Sequence, residues 1–598
     1  MFVFLMKGAL LVCVIFFVFI AIGLAGLRLI SPPVKVLGDY WNPFSILFFA
    51  SALGGSVYTL GLWFLGIFCG YGYSGFIWLT IILVVPSVIY IFRTEGLRSV
   101  GKVKSLSHVG TVAALLVMVI VSSCHPSGDW DDTMYHLPLA RSYLANHGIA
   151  IEQFLRFPLF PQNMNLLMGL GLFFADEFGA QVLVTLPLAL ISLGLLGVSK
   201  GLSGSYMLGA VASVLVVISG PVSQTLGYAY VDNGLSFYCF SSAIACVFWA
   251  QSSAAGSRVA PRWLIISGAS AGISAGVKYF GLVYSGMVGI YILMGRGGWR
   301  LILYYCISLL IFGGWWYARS YLISGDPVHP AGAGIFGYYL WDAEDLLLQR
   351  EEQATHGVPP DSLNMIGALQ VAGVPMLAIA LASPILRNPP LMLCCFRVVF
   401  FLYLGFWFFV SQVARYIMPI LPVGAIIVAY MMYVMVWCKL RRYSWVSGGA
   451  ERVAVLFSGL LFLFVLVYVA DKAVFRKESW VKRLGEIDGY SLMQKANQSS
   501  VKYGSRLIQL GFENSIYFFK GTVIGDHFGP GRYRSWIDCD AFGCSLKNVS
   551  SAAEKMEAFG AKMLLINKKR YAVDMLEYQS KFNVLAMDDG GVLMALKP

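Results

Sequence analysis

The chain has 598 residues, is 58% hydrophobic and only 12% charged. That excludes an ordinary soluble protein: repeated apolar runs of roughly 17–25 residues each suit a hydrocarbon layer about 30 Å thick, so the chain reads as a polytopic membrane protein. The net charge of +12 does not point to nucleic acid, because Lys and Arg gather in short loops between apolar runs, where they act as topology signals beside anionic lipid.

Residues 1–30 are apolar enough to stay as a first span, and no small-residue cleavage site stands out. Further runs follow near 43–66, 75–92, 108–124, 178–199, 206–222, 234–250, 263–280, 281–294, 301–317, 363–383, 393–412, 417–437 and 453–470, about fourteen spans (12–14) in all. The stretch 263–294 is the hardest to divide, and the run at 163–175 reads as either a short span or a helix at the surface. Basic loops hold Arg93, Arg98, Lys102 and Lys104; Arg258 and Arg262; Arg296 and Arg300; and Lys439, Arg441 and Arg442. Excess Lys and Arg marks the cytoplasmic side. Alternation then puts 125–162, 223–233, 318–362 and the tail after 471 outside, with an external N-terminus.

Residues 471–598 are more charged and carry no long apolar run. "SIYFF", "KMLLIN" and "GVLMAL" suggest strands, and "SAAEKMEAF" a helix opened by a Ser cap. A small α/β domain on the outer side is expected. Of eleven cysteines, nine lie in or beside apolar runs, where they behave as small hydrophobes. Cys539 and Cys544 fall in the polar tail, where an oxidising compartment would allow a disulfide. "GDHFGPGRYRS" (525–535) lacks a phosphate-loop spacing and reads as a plain loop.

Ionisable groups near membrane depth are costly unless paired or hydrated, which makes them functional candidates. Those expected at the outer boundary are Asp129, Asp131, Asp132, Tyr135, His136, Arg141, Arg156, Asp232, Lys278, Arg319, Asp326, His329 and Arg415. Three acids crowd one short stretch of the first outer loop. Helix capping accounts for one or two of them, but not readily for three that repel one another. If a helix begins near Asp131, then Asp131 with Tyr135, and Asp132 with His136, share a face. Carboxylates facing cations from distant span ends suit a reaction in which one substrate loses a proton and the other releases an anion.

The stretch "WDDTMYHLPLARSYLANHG" (130–148) resembles the first-loop pattern of bacterial membrane glycosyltransferases of the glycosyltransferase-C fold, relatives of the lipid A aminoarabinose transferases and protein O-mannosyltransferases. Asp131 and Asp132 fall on their acidic pair, with Asp in place of Glu, and Tyr135, Ala140 and Gly148 fit as well. Later segments follow in order over roughly 108–470: "RFPLFPQN" (156–163), "YVDNGLSFY" (230–238), "GVKYFG" (276–281), "WWYARSYLISGDPVHP" (315–330) and "SQVARYIMP" (411–419). The chain departs from the pattern in carrying about three spans before the motif span, where many relatives have one, and in Ser320, where Asn is usual.

The resemblance implies three parts: extra helices over 1–107, a glycosyltransferase-C-like membrane domain over 108–470 with outer loops 125–162 and 318–362, and an extracytoplasmic α/β domain over 471–598. It implies an enzyme of a bacterial inner membrane that moves a sugar from a polyprenyl-phosphate donor to a glycan, lipid or protein acceptor. Asp131 would be the general base and Asp132 its acidic companion. Tyr135, His136, Asp232, Lys278, Arg319, Arg415 and Tyr416 would bind substrate, Arg415 meeting the lipid phosphate with a fork that fits it. An acid pair also suits a divalent metal, but no coordination set is fixed. Two other readings remain open: a lipid-linked polysaccharide polymerase or ligase, which would rely on Arg and His in large outer loops, and a transporter or flippase, which would place ionisable groups mid-span with repeated halves.

Overall fold

The computed structural model describes residues 2–94, 106–295, 299–359, 363–437, 463, 467, 480–540 and 543–597. Among them, eight helices are long and apolar enough to cross a membrane: Met6–Ile30, Pro43–Ile67, Tyr73–Arg93, Asn163–Ser203, Asp232–Ala254, Trp299–Ser324, Leu391–Val410 and Ala414–Met435. Shorter apolar helices at Val109–Ser122, Met207–Val217, Tyr279–Met294 and Met376–Ile385 add to these. The protein is thus a multi-pass membrane protein. The expected run at 453–470 lies outside the described residues, apart from two isolated positions, and so do Arg98, Lys102, Lys104, Arg296, Lys439, Arg441 and Arg442.

Two boundaries differ from the sequence reading. The run at 163–175 is no surface helix. It opens the Asn163–Ser203 helix, which bends where Ala175 and Asp176 leave helical geometry. Residues 163–171 are buried, and the Tyr71 hydroxyl donates to the Leu166 carbonyl. The stretch 263–294 divides at Gly276–Lys278, between helices Arg262–Ala275 and Tyr279–Met294. Asn163 holds that break. Its N–H donates to the Gly276 carbonyl at 2.8 Å and its Nδ2 to the Ile273 carbonyl at 3.1 Å, while its Oδ1 accepts from Trp316 Nε1 at 2.7 Å. Gly276 must be small, because a Cβ there would sit 2.1 Å from Asn163 Nδ2.

The chain divides into two compact units. One comprises Met1–Cys124, Pro161–Arg319 and Arg350–Arg476, and the other His125–Phe160, Ser320–Gln349 and Lys477–Pro598. Residues 125–160 of the first outer loop and 320–349 of the second therefore belong to the same unit as the C-terminal α/β domain, while 350–362 falls in the other. In that unit, strands β1 (Arg506–Leu510), β2 (Thr522–Ile524), β5 (Met563–Asn567), β7 (Phe582–Met587) and β8 (Gly591–Leu596) form a five-stranded sheet in the order β2-β1-β5-β8-β7. β2, β1 and β5 run parallel, and β8 and β7 close the sheet antiparallel. β3 (Ile537–Asp540), β4 (Gly543–Leu546) and β6 (Tyr571–Ala572) make a second small sheet, where Cys539 and Cys544 lie opposite one another and are disulfide-bonded.

Both faces of β1, β5 and β8 are covered, so these strands are buried almost throughout, whereas the edge strand β7 is largely exposed. Alternate residues feed different cores. Ile508, Leu564, Ile566 and Met594 join one cluster with Trp536, Met556 and Phe582. Leu507, Met563, Leu565 and Leu593 join another that includes Met134, Tyr135 and Leu139 of the first loop. "KMLLIN" and "GVLMAL" are the expected strands, but "SIYFF" is not a strand. It lies in the 3-10 turn Glu513–Phe518 on the crossover between parallel β1 and β2, with Ile516 and Phe518 buried. The helix expected from "SAAEKMEAF" spans Val549–Ala558, and its cap is Asn548, whose side chain accepts from the Ser551 N–H.

Stretch 525–535 is a loop, as expected, but not a passive one. Arg532 and Arg534 pair with Asp342 and Asp345 of the second loop. Asp526 pairs with Arg156 of the first loop, Nε to Oδ2 at 3.1 Å and the second nitrogen to Oδ1 at 2.5 Å. That pair is buried, with 7% and 4% of the side chains exposed. Asp526→Ala strands a buried guanidinium, so a loss of about 3–5 kcal/mol is expected, visible as earlier thermal unfolding and faster proteolysis of this unit. An unchanged melting profile would show that the pair does not hold the loop.

Candidate active site

The candidate residues fall into two groups, one in each compact unit. The first is the acidic stretch of the first loop. Its helix opens at Trp130, where Asp129 Oδ1 accepts the Trp130 N–H at 2.8 Å and the Asp129 carbonyl accepts the Thr133 hydroxyl at 2.8 Å. Asp129, which fits no family motif, is thus the helix-opening acid. From Asp132 to His136 the helix widens into a π turn, closed by the Leu137 N–H on the Asp132 carbonyl, and then continues as Leu137–Ala145. Such widened turns recur at functional sites because they re-aim side chains that a regular helix would stack.

Both acids are buried, Asp132 in the π turn and Asp131 just before it: Asp131 is 5% and Asp132 0% exposed. The Tyr135 hydroxyl donates to Asp131 Oδ2 at 2.7 Å, the four-residue pairing expected from the sequence. The His136 ring lies 4.2 Å from that of Tyr135, and Phe157 meets Tyr135 edge-on at 5.4 Å. One carboxylate, its phenol donor, a second carboxylate and an imidazole thus occupy a single turn. Such a group can hold an oriented base beside polar partners. Arg141 is structural: its guanidinium donates to the Tyr517 and Phe519 carbonyls and lies over the Tyr517 ring.

The C-terminal domain supports this turn. The Thr133 hydroxyl oxygen lies equally close, 2.8 Å, to the Asn514 carbonyl, so its single proton is shared between the two carbonyls, and the Trp130 ring lies nearly parallel to that of His527 at 6.4 Å. Glu513, 1% exposed, accepts from Arg570 at 2.9 and 3.0 Å and lies 3.3 Å from His527 Nε2. Burial alone would raise the Glu513 carboxyl, but the His527 and Arg570 contacts outweigh it and hold it below its ordinary value. In the second loop, burial pushes the His329 imidazole down to about 4 against the opposing pull of Asp326.

The second group lies in the helical unit. Asp232, fully buried, opens the Asp232–Ala254 helix. Lys278, in extended geometry at the break, reaches both its oxygens, at 2.9 and 3.1 Å. Lys278 Nζ also lies 5.4 Å from the centre of the Tyr416 ring, and the Arg415 guanidinium lies over Tyr230 at 4.8 Å and Tyr416 at 6.0 Å. Ser236 and Tyr403 fix the 3-10 segment carrying Arg415 by donating to the Met418 and Tyr416 carbonyls. Arg319 is buried over the Trp316 ring, and Trp316 in turn donates to Asn163 at the break that presents Lys278. Asp232, Lys278, Arg415 and Tyr416 therefore meet, with Arg319 tied in through Trp316 and Asn163. Two cations and one carboxylate on aromatic walls can receive an anionic oxygen cluster.

Tyr230, Trp316, Asn163, Glu513, His527 and Arg570 were not singled out from the sequence. Asn163 ends the quoted "RFPLFPQN", but its partners lie more than a hundred residues away. Glu513 and His527 each come two residues after a positive-φ glycine, Gly511 or Gly525, that directly follows a strand. Recognising β1 and β2 as parallel would have marked those ends. Among the described residues, no group of three or more His, Cys, Asp and Glu side chains is placed to hold a metal ion.

The fold has a solved counterpart. ArnT from Cupriavidus metallidurans, in a structure bound to undecaprenyl phosphate, matches 81% of this chain and 97% of its own with a TM-score of 0.55 at 14% identity. The protein therefore has the glycosyltransferase-C fold, with a small C-terminal α/β domain. A family model described as SF2091/S2213 matches residues 479–595. Two Shigella flexneri proteins are similar over comparable lengths. "Uncharacterized protein SF2093/S2215" is 48% identical over 127 residues, 21% of this chain and 64% of its own length. "Uncharacterized protein SF2091.1/S2213" is 41% identical over 115 residues, 19% of this chain and 96% of its own. The chain belongs to the family of SF2091.1/S2213. It spans slightly less than two thirds of SF2093/S2215.

Proposed function

We propose that the protein is an integral membrane glycosyltransferase that moves a sugar from a polyprenyl-phosphate-linked donor to a glycan, lipid or protein acceptor on the outer face of a bacterial inner membrane. The observation that carries this reading is the fold shared with ArnT in its undecaprenyl phosphate-bound structure. Two features support it: the cationic, aromatic-walled group around Arg415, and a buried acid in the first loop with a hydroxyl donor. The disulfide in the C-terminal domain suits an oxidising compartment outside the cytoplasm.

In the proposed reaction, Asp131 accepts the proton of an acceptor hydroxyl. The acceptor oxygen bonds to the anomeric carbon as the bond from that carbon to the phosphate oxygen breaks. The electron pair leaves with the polyprenyl phosphate, an anion of the kind that the cationic group of Arg415 and Lys278 is suited to bind. Asp232 holds Lys278 in place, and Arg319 steadies the same break through Trp316. Asp132, Tyr135 and His136 fix the base.

The reading is tested by reconstituting the protein in vesicles with undecaprenyl-phosphate sugars and envelope extract, and following sugar out of the lipid fraction. Enzyme-dependent appearance of sugar in a non-polyprenyl product is expected. Movement of the lipid-linked sugar between leaflets without transfer would replace the transferase by a flippase. Chain growth on the donor lipid itself would favour a polymerase.

A further inference from the structure

The carboxyl ends of parallel strands in an open α/β sheet face a crevice where ligands bind, at the point where the strand order reverses. Here the chain runs from β1 to β2 on one side and later returns to β5 on the other, so the reversal lies between β1 and β5. The groups just beyond those ends are polar and joined to one another. Glu513 follows β1, His527 follows β2 and Arg570 follows β5, and the buried Glu513 holds both of the others. His527 and Arg570 are each 42% exposed, so both present an edge to solvent. The remaining wall is Trp130, whose ring lies beside that of His527 and which immediately precedes Asp131.

We infer that this crevice is the acceptor's docking subsite, and that the acceptor portion it takes is a hydroxyl-rich saccharide. The inference rests on the transferase reading above. An indole face takes the apolar C–H face of a sugar ring, while a planar guanidinium and a ring nitrogen of an imidazole offer hydrogen bonds to neighbouring hydroxyls. Glu513 holds both groups and offsets the charge of the guanidinium, which disfavours a bare anion as the ligand. Trp130 immediately precedes Asp131, so this subsite and the proposed base belong to one stretch of the first loop. The C-terminal domain is thus the part that selects the acceptor.

The probe is a set of methyl glycosides of glucose, galactose, rhamnose and N-acetylglucosamine, added to the full-length protein in lipid nanodiscs and read by saturation-transfer NMR. At least one should give a signal in the wild type. The signal should weaken about threefold to tenfold in His527→Ala, Arg570→Ala and Trp130→Ala, the loss of one or two hydrogen bonds or a stacking face. Glu513→Gln keeps the volume of the buried group and should weaken it too. Undecaprenyl phosphate binding, measured in the same samples, should stay at the wild-type level. Glycoside signals that are absent from the wild type, unchanged in all four variants, or displaced by inorganic phosphate overturn the subsite. If undecaprenyl phosphate does not bind the wild type, the transferase reading itself fails.

Discussion

Asp131→Asn should remove sugar transfer while the protein still inserts and folds. The amide has the shape of the carboxylate, and its oxygen can still accept from the Tyr135 hydroxyl that now meets Asp131 at 2.7 Å. It cannot take a proton as a base. A positioned general base contributes about 10²–10⁴-fold to a rate, so a fall of that size in kcat is expected, with little change in binding of the donor lipid. Tyr135→Phe removes only the orienting hydrogen bond and should lie between the two. Asp132→Asn makes a useful comparison, because Asp132 is more deeply buried and is assigned the companion role. Transfer by Asp131→Asn at the wild-type rate would remove Asp131 from the reaction, and a greater loss from Asp132→Asn would exchange the two roles.

Arg415→Ala should have the other large effect. The guanidinium is held over Tyr230 and Tyr416, on a segment fixed by Ser236 and Tyr403, so its fork is oriented before any ligand arrives. Phosphate is recognised best by such a planar pair of donors. Loss of an oriented donor to developing charge costs about 10²–10³-fold in rate, and undecaprenyl phosphate should bind roughly tenfold to a hundredfold more weakly, as for a lost hydrogen bond to a charged group. Arg415→Lys keeps the charge but not the fork and should recover only part of both. Full recovery by Lys would mean that charge alone matters there. Normal donor binding in Arg415→Ala would shift the phosphate to Lys278 or Arg319.

The same residues mark how far the sequence could be read. The Asp131–Tyr135 pairing was legible because both lie within one helical turn. The pairing of Asp232 with Lys278 was not, since the two are 46 residues apart and nothing local links them. The arginines of 525–535 looked like loop chemistry because their partners, Asp342 and Asp345, belong to a different outer loop. "SIYFF" read as a strand because a short buried apolar run has no period that separates strand from turn. A parallel pair needs a crossover, and that crossover lies on the sheet and is apolar for the same reason that a strand is.

The sequence by itself determined the membrane class, the largely helical architecture, the presence of a C-terminal α/β domain and the stretch that carries the acids. Those depend on composition, run length and local spacing, which a chain carries at every point along itself. Only the tertiary structure decided that the first outer loop shares a core with the C-terminal domain and the second is ion-paired to it, that Asp131 and Asp132 are buried at a π turn, and that a break held by Asn163 presents Lys278 to Asp232 and Tyr416. These are contacts between residues tens to hundreds apart, selected because buried charges and buried backbone groups need partners, and one-dimensional patterning does not say which partner folding will bring.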